Sequence, residues 1–310
     1  MIIVFGSINM DVNMRVKRFP RAGETILAPT YDMSPGGKGA NQSMAAARSG
    51  AKTAIIGKIG DDGMGQRILG NLRRHEVLTT GVATSDLLPT GMAYVIQESG
   101  GENQIIVASG ANHDISASQV PDEILKAGNV VQLQMEIPLQ ENITLMERAN
   151  KLGATILLNL APAGHFPEAY LQYIDYLIMN EIEAEMLAGE YNMDRKQDLK
   201  ILGQQFAKKG DLTCVITLGS QGSFAVTKDG RGWKVPALRL EKVEDTTGAG
   251  DCFCGTFAAA IHNKLALPDA LRRASIAASL SCQAIGAQDS YPYVADIEEA
   301  LKEFPEAEAF

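Results

Sequence analysis

The chain has 310 residues, of which 45% are hydrophobic and 21% charged, and its formal net charge is −9. This composition is typical of a globular protein with a sizeable core, and the length suits one large α/β domain or two smaller ones. An acidic chain lacks the basic face of a nucleic-acid binder, and no segment reaches the roughly 20 apolar residues of a membrane helix, so we expect a cytoplasmic protein that binds neither nucleic acid nor membrane.

Apolar strand-like segments alternate with helical patterns from the N-terminus onward. The strand "IIVFGS" precedes the helix "GANQSMAAARSGA", and the strand "TAIIGKIG" precedes the helix "MGQRILGNLRRH". Later strands and helices are "NVVQLQME" with "LQENITLMERANKLG", "IDYLIMN" with "EIEAEMLAG", and "LTCVITLG" after "DLKILGQQFAKKG". This alternation predicts an α/β fold with a mostly parallel sheet and helices on both faces. Because ligands bind beyond the carboxyl ends of such strands, we expect the site in the loops that follow them.

Two stretches interrupt the alternation. Residues 12–35 alternate weakly and contain Pro and Gly, and residues 91–108 are predicted to form a hairpin that turns at Ser99, Gly100 and Gly101. The two stretches form either a small β-sheet that projects from the main domain or two separate surface hairpins. Since no repeat, low-complexity tract or linker is visible, we expect residues 1–310 to form one domain with a discontinuous β-sheet lid.

Polar residues follow two of the predicted strands. Asn9 and Asp11 come after the first strand, in "GSINMDV". They either bind the vicinal hydroxyls of a sugar through an amide and a carboxylate, or only form a turn. Glu136 closes "VVQLQME", where its carboxylate either accepts a sugar hydroxyl or is simply exposed.

A Gly-Gly turn opens the first predicted helix in "GGKGANQ", residues 36–42. The motif is not a P-loop, because Asp32 and Gly39 stand where that motif needs Gly and Ser or Thr. The turn either lets the hydroxyls of an uncharged ligand approach, with Lys38 and Asn41 as polar partners, or serves only to cap the helix.

Asn180 and Glu183 lie three residues apart in "MNEIEAE", where a strand passes into a helix. The spacing places both side chains on one helical face. They suit Mg²⁺ that is bound through water, since Mg²⁺ keeps several waters and uses few protein ligands. The alternative is a helix cap, and on the local pattern alone the cap is the stronger interpretation.

The stretch "VEDTTGAGDCFCGTF", residues 243–257, places two glycines and a carboxylate at a helix start. We predict that the strand-like "LRLEKVED" leads into a turn at Gly248–Gly250 and that the helix starts at Asp251. Glycines let an anion approach the free N–H groups of a helix start. Asp251 is then either the N-cap or a base that deprotonates a hydroxyl attacking a phosphate.

The order of these motifs resembles that of the PfkB family of carbohydrate kinases, and within it the ribokinase group, over nearly the whole chain. "GGKGANQ" resembles the first signature of the family and "DTTGAGD" the second, and "SINMD", "LQME", "NEIEAE", "TLGSQG" and "GAQDSYP" resemble further segments. The resemblance implies a ribokinase-like fold and the ATP-dependent phosphorylation of D-ribose at its 5-hydroxyl. The alternatives are a nucleoside kinase, another sugar kinase of the family, or a non-catalytic sugar-binding protein, which the presence of Asp251 disfavours.

The resemblance also implies roles for individual residues. Asp251 would be the catalytic base, beside an anion hole formed by the N–H groups of Gly248, Ala249 and Gly250. The sugar would be bound by Asn9, Asp11, Gly37, Lys38, Asn41, Glu136 and Asp251. The nucleotide would be bound by Asn180, Thr217, Gly219, Gly222 and Gly250. The metal sites would be Glu183 for Mg²⁺ through water, and Asp245, Thr247 and Ser290 for a monovalent cation, K⁺.

The two stretches of the lid would cover the sugar and also form a homodimer contact, as the resemblance implies. The chain departs from the ribokinase pattern at three positions. Gly248 stands where Ala is usual, Cys254 where Asn is common, and Ser275 where a His contacts adenine. These departures leave the sugar and the nucleotide preference open.

Overall fold

The computed structural model describes residues 1–98 and 103–310. The strands, in chain order, are β1 (Ile2–Phe5), β2 (Asn9–Val16), β3 (Tyr31–Gly36), β4 (Thr53–Gly60), β5 (Leu78–Ser85), β6 (Gly91–Glu98), β7 (Asn103–Ala108), β8 (Val130–Leu133), β9 (Thr155–Asn159), β10 (Tyr176–Asn180), β11 (Thr213–Thr217), β12 (Ser223–Val226), β13 (Gly232–Val235) and β14 (Glu308–Ala309). The helices are α1 (Lys38–Arg48), α2 (Gly63–Arg74), α3 (Leu139–Leu152), α4 (Glu181–Glu190), α5 (Leu199–Gly210), α6 (Ala249–His262), α7 (Leu267–Ser281) and α8 (Val294–Leu301).

A ten-stranded sheet forms the centre of the molecule, in the order β14-β13-β12-β11-β10-β9-β8-β1-β4-β5. The strands from β11 to β5 in that order pair in parallel, and β12, β13 and β14 add an antiparallel edge. β1 and β8 are fully buried runs, as expected of parallel strands covered on both faces. The predicted mostly parallel sheet is confirmed.

Helices cover both faces of this sheet because successive side chains of a strand point to opposite sides. In β1, Ile2 and Val4 pack into one core with residues of α1, α2, α6 and α7. Ile3 and Phe5 pack into a second core with residues of α3, α4 and α5. The short strand therefore joins the two hydrophobic layers of the fold.

A second sheet has four strands in the order β3-β2-β6-β7. β2 pairs antiparallel with β3 and parallel with β6, and β6 pairs antiparallel with β7. The two interrupting stretches of sequence thus form one small sheet, and the alternative of two separate hairpins is wrong. The sheet begins at Asn9, three residues before the predicted lid. The predicted turn at Ser99, Gly100 and Gly101 lies outside the described residues.

The segment "LRLEKVED", residues 238–245, is irregular, so the predicted strand is wrong there. Its backbone bonds go to a helix instead of a strand: Leu238 N donates to Ser279 Oγ, at 3.0 Å, and Glu244 N donates to the carbonyl of Cys282, at 2.8 Å. Pro236, which lacks an N–H donor, follows β13 and ends the strand pairing. Within residues 1–98 and 103–310, no helix is long and apolar enough to cross a membrane.

Candidate active site

Polar side chains gather at the carboxyl ends of the central strands, as predicted. The chain runs from β1 to β4 on one side and later returns to β8 on the other, so a crevice opens between these connections. The lid strand β2 brings Asn9 and Asp11 to this crevice, and the start of α1 brings Lys38. The loop after β8 brings Glu136, whose Oε2 accepts a hydrogen bond from Lys38 N at 3.1 Å.

Glu136 caps a helix that is distant in sequence. α1 starts after Gly37, which has no side chain to cap it and has a φ of 87°. The Oε2 atom of Glu136 accepts from Lys38 N and also from Ser7 Oγ, at 2.6 Å. Gly37 is needed because a Cβ there would lie 2.7 Å from Asn9 N. One carboxylate therefore connects the ends of β1 and β8 with the start of α1.

Asp11 is a largely buried carboxylate whose surroundings disfavour its negative charge. It lies in β2, so the turn alternative is wrong, and a side chain at Gly36 on the neighbouring strand would collide with it. Burial raises the pKa of Asp11 to about 7, with smaller contributions from the charges of Glu136 and Asp251. Its Oδ1 atom is buried and has no hydrogen-bond partner among the described atoms. A buried acceptor without a partner can accept a hydrogen bond from the hydroxyl of a ligand.

Asn9 is oriented by a residue that the sequence did not reveal. Asn112 is buried, donates through Nδ2 to Asn9 Oδ1 at 2.7 Å, and accepts from Ile8 N at 2.8 Å. This contact fixes which end of the Asn9 amide is the oxygen and turns its NH₂ group away from Asn112. Asn112 lies in a short 3₁₀ segment, Gly110–Asp114, that no sequence pattern marked.

Asp251 is not the cap of its helix. α6 begins at Ala249, two residues earlier than predicted, and its N-cap is Gly248 in the left-handed conformation with φ 76°. Asp251 is 6% exposed, and its carboxylate accepts hydrogen bonds from Asn41 Nδ2, at 3.0 Å, and Gln42 Nε2, at 2.9 Å. The cap alternative is therefore wrong. Gln42 stands next to Asn41 in "GGKGANQ", but no local pattern distinguishes it from its neighbours.

Lys38 supplies the positive charge among these carboxylates. The charge of Asp251 is the main reason that the pKa of Lys38 is raised, and Glu136 and Glu183 add to the effect against the cost of burial. The crevice therefore combines one partly buried ammonium with several carboxylates. Carboxylates in such a site can accept hydrogen bonds from the hydroxyls of a neutral polyol, and Lys38 can stabilise negative charge that develops near Asp251.

A cavity of about 510 Å³ lies on the other side of the α6 start. It extends from the end of β11, where Thr217, Gly219 and Gly222 line it, to Ala249 and Gly250. Its remaining lining is largely apolar and includes Leu238, Leu240, Val243, Phe253 and Ala278. The irregular segment after β13 thus forms part of its wall. The size and lining suit a flat, largely apolar group whose charged end reaches the helix start.

Residues 1–293 match the family model for pfkB family carbohydrate kinases. The chain belongs to this family. It is 36% identical over 306 residues to the ribokinase of Lactococcus lactis subsp. lactis, with 97% of each chain covered. The fold is similar to that of Arabidopsis thaliana ribokinase complexed with ribose and ATP, at a TM-score of 0.89 and 33% identity, covering 97% of this chain and 98% of that one. Thermotoga maritima ribokinase gives a TM-score of 0.89 at 30% identity, covering 97% and 99%.

The Asn-x-x-Glu element of this pfkB kinase forms a capping box. Asn180 Oδ1 accepts from Glu183 N and Glu183 Oε2 accepts from Asn180 N, both at 2.8 Å, so the capping alternative is confirmed. Asn180 also pairs with Thr217 in the register of β10 and β11, which brings it beside the residues of the cavity. Burial raises the pKa of Glu183 against the opposing effect of its hydrogen bond.

The second pfkB signature, "DTTGAGD", is supported by hydrogen bonds from the segment that follows α7. Asp245 Oδ1 accepts from Thr247 N and Thr247 Oγ1, at 2.9 and 2.7 Å, and its Oδ2 accepts from Gly286 N at 2.9 Å. Burial raises the pKa of Asp245, but these bonds outweigh it and hold the pKa below its ordinary value. Tyr291 Oη donates to the carbonyl of Gly248, and Ser290 Oγ donates to that of Ala287. These hydrogen bonds support the turn before α6.

Ser275 lines the cavity, at the position where a ribokinase can have His. Its Oγ atom shares a hydrogen bond of 2.9 Å with Ser223 Oγ, and the residue is buried. Cys254 is buried on α6, where it packs with the apolar core. Neither departure disturbs the start of α6 or the crevice.

Proposed function

We propose that the chain transfers the γ-phosphoryl group of ATP to the 5-hydroxyl of D-ribose. The observation that carries this proposal is the position of Asp251, a buried carboxylate in the first turn of α6 between the polar crevice and the 510 Å³ cavity. A base at this junction can reach a hydroxyl in the crevice while the helix start faces a phosphate from the cavity. The ribokinase relatives, and the neighbour complexed with ribose and ATP, support the choice of substrates.

In the proposed reaction, Asp251 removes the proton of the 5-hydroxyl as that oxygen attacks the γ-phosphorus. A bond forms between the sugar oxygen and phosphorus, and the bond between phosphorus and the bridging oxygen of ADP breaks. The N–H groups of Gly248 and Gly250 stabilise the charge on the phosphoryl oxygens. The N–H group of Ala249, which donates to the carbonyl of Thr246 at 3.2 Å, joins them only when that hydrogen bond opens. The proton ends on Asp251 and passes to water after the products leave.

The sugar is proposed to lie between the lid and the start of α1. Asp11 offers its unpartnered Oδ1 to a hydroxyl, and Asn9 offers the NH₂ group that Asn112 orients. The remaining contacts in this proposal come from Gly37, Lys38, Asn41 and Glu136. Because the lid strand β2 carries Asn9 and Asp11, we expect the lid to close over the crevice when the sugar binds.

The nucleotide is proposed to lie in the cavity, with Thr217, Gly219, Gly222 and Gly250 along it and Asn180 near its phosphates. Among the residues that the structure describes, no group of three or more His, Cys, Asp or Glu residues could hold a metal ion. The carboxylate of Glu183, which Asn180 N holds beside the cavity, fits Mg²⁺ that would be bound mainly by phosphates and water and would contact Glu183 through water. When bound, Mg²⁺ neutralises phosphate charge.

The substrate choice can be tested by measuring ADP release with ribose, 2-deoxyribose, fructose and several nucleosides under identical conditions. We expect the highest kcat/KM with ribose. A nucleoside with the highest kcat/KM would contradict ribose as the substrate, while the assignment to the family would stand.

We further propose that K⁺ binds at Asp245, Thr247 and Ser290 and increases turnover. Asp245 supplies a carboxylate, and the hydrogen bond from Gly286 N to its Oδ2 places the loop that holds Ser290 beside it. We expect a higher kcat in KCl than in NaCl at equal ionic strength and saturating substrates, because a bound cation orders the turn before α6. Equal turnover in both salts would contradict this prediction.

We also propose that the lid forms a homodimer contact. Its strands expose apolar side chains that a monomer would leave in water: Tyr31 is 62% exposed, Ile105 60% and Ile106 62%. We expect the double variant Ile105→Lys/Ile106→Lys to sediment as a monomer at a concentration at which the parent sediments as a dimer. The matched control is Ile201→Lys, an exposed isoleucine on α5 outside the lid. A parent that sediments as a monomer would contradict the proposal.

A further inference from the structure

A buried network of amide side chains surrounds Asp251. Gln42 Nε2 donates to Asp251 Oδ1 at 2.9 Å and to Asn159 Oδ1 at 3.0 Å. Gln42 Oε1 accepts from Gln132 Nε2 at 2.8 Å and from Gln134 Nε2 at 2.9 Å. All five residues are buried. The Gln42 amide therefore makes the four hydrogen bonds that its two donors and two acceptor sites allow.

The direction of every bond in this network follows from Asp251. An ionised carboxylate only accepts hydrogen bonds, so Gln42 must present its NH₂ group to Asp251. Its oxygen then faces Gln132 and Gln134, which must both present NH₂ groups. Asn159 must present its oxygen, which agrees with the hydrogen bond that its Nδ2 donates to the carbonyl of Ile178.

This arrangement leaves two buried acceptors unsatisfied. Gln132 Oε1 and Gln134 Oε1 have no hydrogen-bond partner among the described atoms. Gln134 Oε1 lies so close to Gly6 that a side chain at Gly6 would collide with it. Turning either amide would bring two oxygens together at Gln42. Since unsatisfied buried acceptors reduce stability, a network that served stability alone would not be built in this way.

We propose that Gln42 is a positioning residue that holds the Asp251 carboxylate in the orientation needed to accept the proton, with Gln132 and Gln134 fixing the Gln42 amide. The inference rests on the proposed role of Asp251 as the base. Without the Gln42 donor, the Asp251 carboxylate keeps the hydrogen bond from Asn41 on one oxygen and is free to rotate.

The variant Gln42→Met tests the inference, because it removes both polar ends at similar volume. We expect kcat to fall about 10- to 100-fold, the effect of losing a hydrogen bond to a charged group. KM for ribose and for ATP should change less than about threefold, since Gln42 contacts neither in the proposal.

A second variant changes only the donor end of the side chain. Gln42→Glu keeps acceptors for Gln132 and Gln134 but replaces the donor to Asp251 by an oxygen, so we expect the same loss of kcat per folded protein with little change in KM. The matched control is Asn129→Leu, which removes another buried amide, one that donates to the carbonyl of Ile124 and accepts from the N-terminus. We expect this control to lower Tm while kcat per folded protein stays unchanged.

Asp251→Asn is measured in the same assays to separate the two proposals. If both Gln42 variants keep the parental kcat per folded protein while Asp251→Asn loses turnover, Gln42 is only structural and this inference is overturned. If Asp251→Asn itself keeps its turnover, the proposed base is wrong and the inference fails with it. A lower kcat per folded protein at nearly unchanged KM in both Gln42 variants, with no such loss in Asn129→Leu, supports the inference.

Discussion

Asp251→Asn is expected to lower the turnover number by about 10²–10⁴, the usual contribution of a positioned general base. The side chain keeps its shape, but it can no longer accept the proton of the attacking hydroxyl. Ribose and ATP should still bind, since most of the proposed contacts come from other residues. The measurement is kcat by ADP release, with ribose affinity from isothermal titration calorimetry.

The hydrogen bonds of Asp251 determine how Asp251→Asn affects the stability of the folded protein. Because Gly248 is the N-cap, the substitution does not test capping. Both Asp251 oxygens accept hydrogen bonds from amide donors, and an Asn keeps only one acceptor. Its NH₂ group therefore faces a second NH₂ group, on Asn41 or Gln42, at a cost of about 1–3 kcal/mol. Turnover must accordingly be expressed per folded protein, with Tm measured on the same sample.

A matched control exists on the next helix. Asp269 is the third residue of α7, as Asp251 is the third residue of α6, but its side chain is half-exposed and pairs with the buried Arg272 at 3.6 Å. We expect Asp269→Asn to keep near-parental turnover, because only the interaction with the helix dipole and one ion pair change. If Asp251→Asn were as active as Asp269→Asn, Asp251 would have no role as a base.

The parts of the fold that the sequence predicted depend on local patterns. A short apolar run such as that of β1 identifies a buried parallel strand, and the periodic apolar residues that follow identify a helix. Once the strands are known, parallel pairing places their carboxyl ends at one edge. For this reason the predicted positions of Asn9, Glu136 and Asn180 at one edge of the sheet could be reached without coordinates.

The features that the sequence did not predict depend on contacts between residues distant in sequence. Asn112 orients Asn9 across 103 residues, and Gln42 reaches Asp251 across 209 residues, so no local period marks either of them. Glu136 caps α1 from 98 residues away, and its cap is invisible in the sequence around Gly37. The start of α6 was misplaced because Asp is a favoured N-cap, whereas here the left-handed Gly248 takes that position.

Asp11→Asn is expected to weaken ribose binding about 100-fold while it stabilises the ligand-free protein. The loss of affinity follows because a charged acceptor of sugar hydroxyls is replaced by a neutral amide, and hydrogen bonds to charged groups are the stronger ones. The gain in stability follows because Asp11 is buried beside Glu136 and Asp251, which makes its charge unfavourable. A residue kept at a cost to stability is typical of a binding site.

The effect of Asp11→Asn on stability should depend on pH in a definite direction. Burial raises the pKa of Asp11 to about 7 from its ordinary value of 3.8, so the folded state holds a proton that the unfolded state releases between these two values. Asp11 therefore destabilises the parent increasingly as pH rises from about 4 to 7, by about 2–4 kcal/mol at the upper end. The gain in Tm from Asp11→Asn should accordingly be larger at pH 8 than at pH 5.

Ribose binding should show the opposite trend, because the ionised form of Asp11 is the better acceptor. In the parent, Kd for ribose should rise as pH falls from 8 to 6, whereas in Asp11→Asn it should be high and nearly independent of pH. Asp32→Asn is the matched control, since Asp32 is an exposed carboxylate on the neighbouring lid strand β3. The measurement is Kd for ribose by isothermal titration calorimetry at several pH values, for the parent and both variants. A parental Kd that is constant from pH 6 to 8 would show that Asp11 does not bind the sugar as a carboxylate.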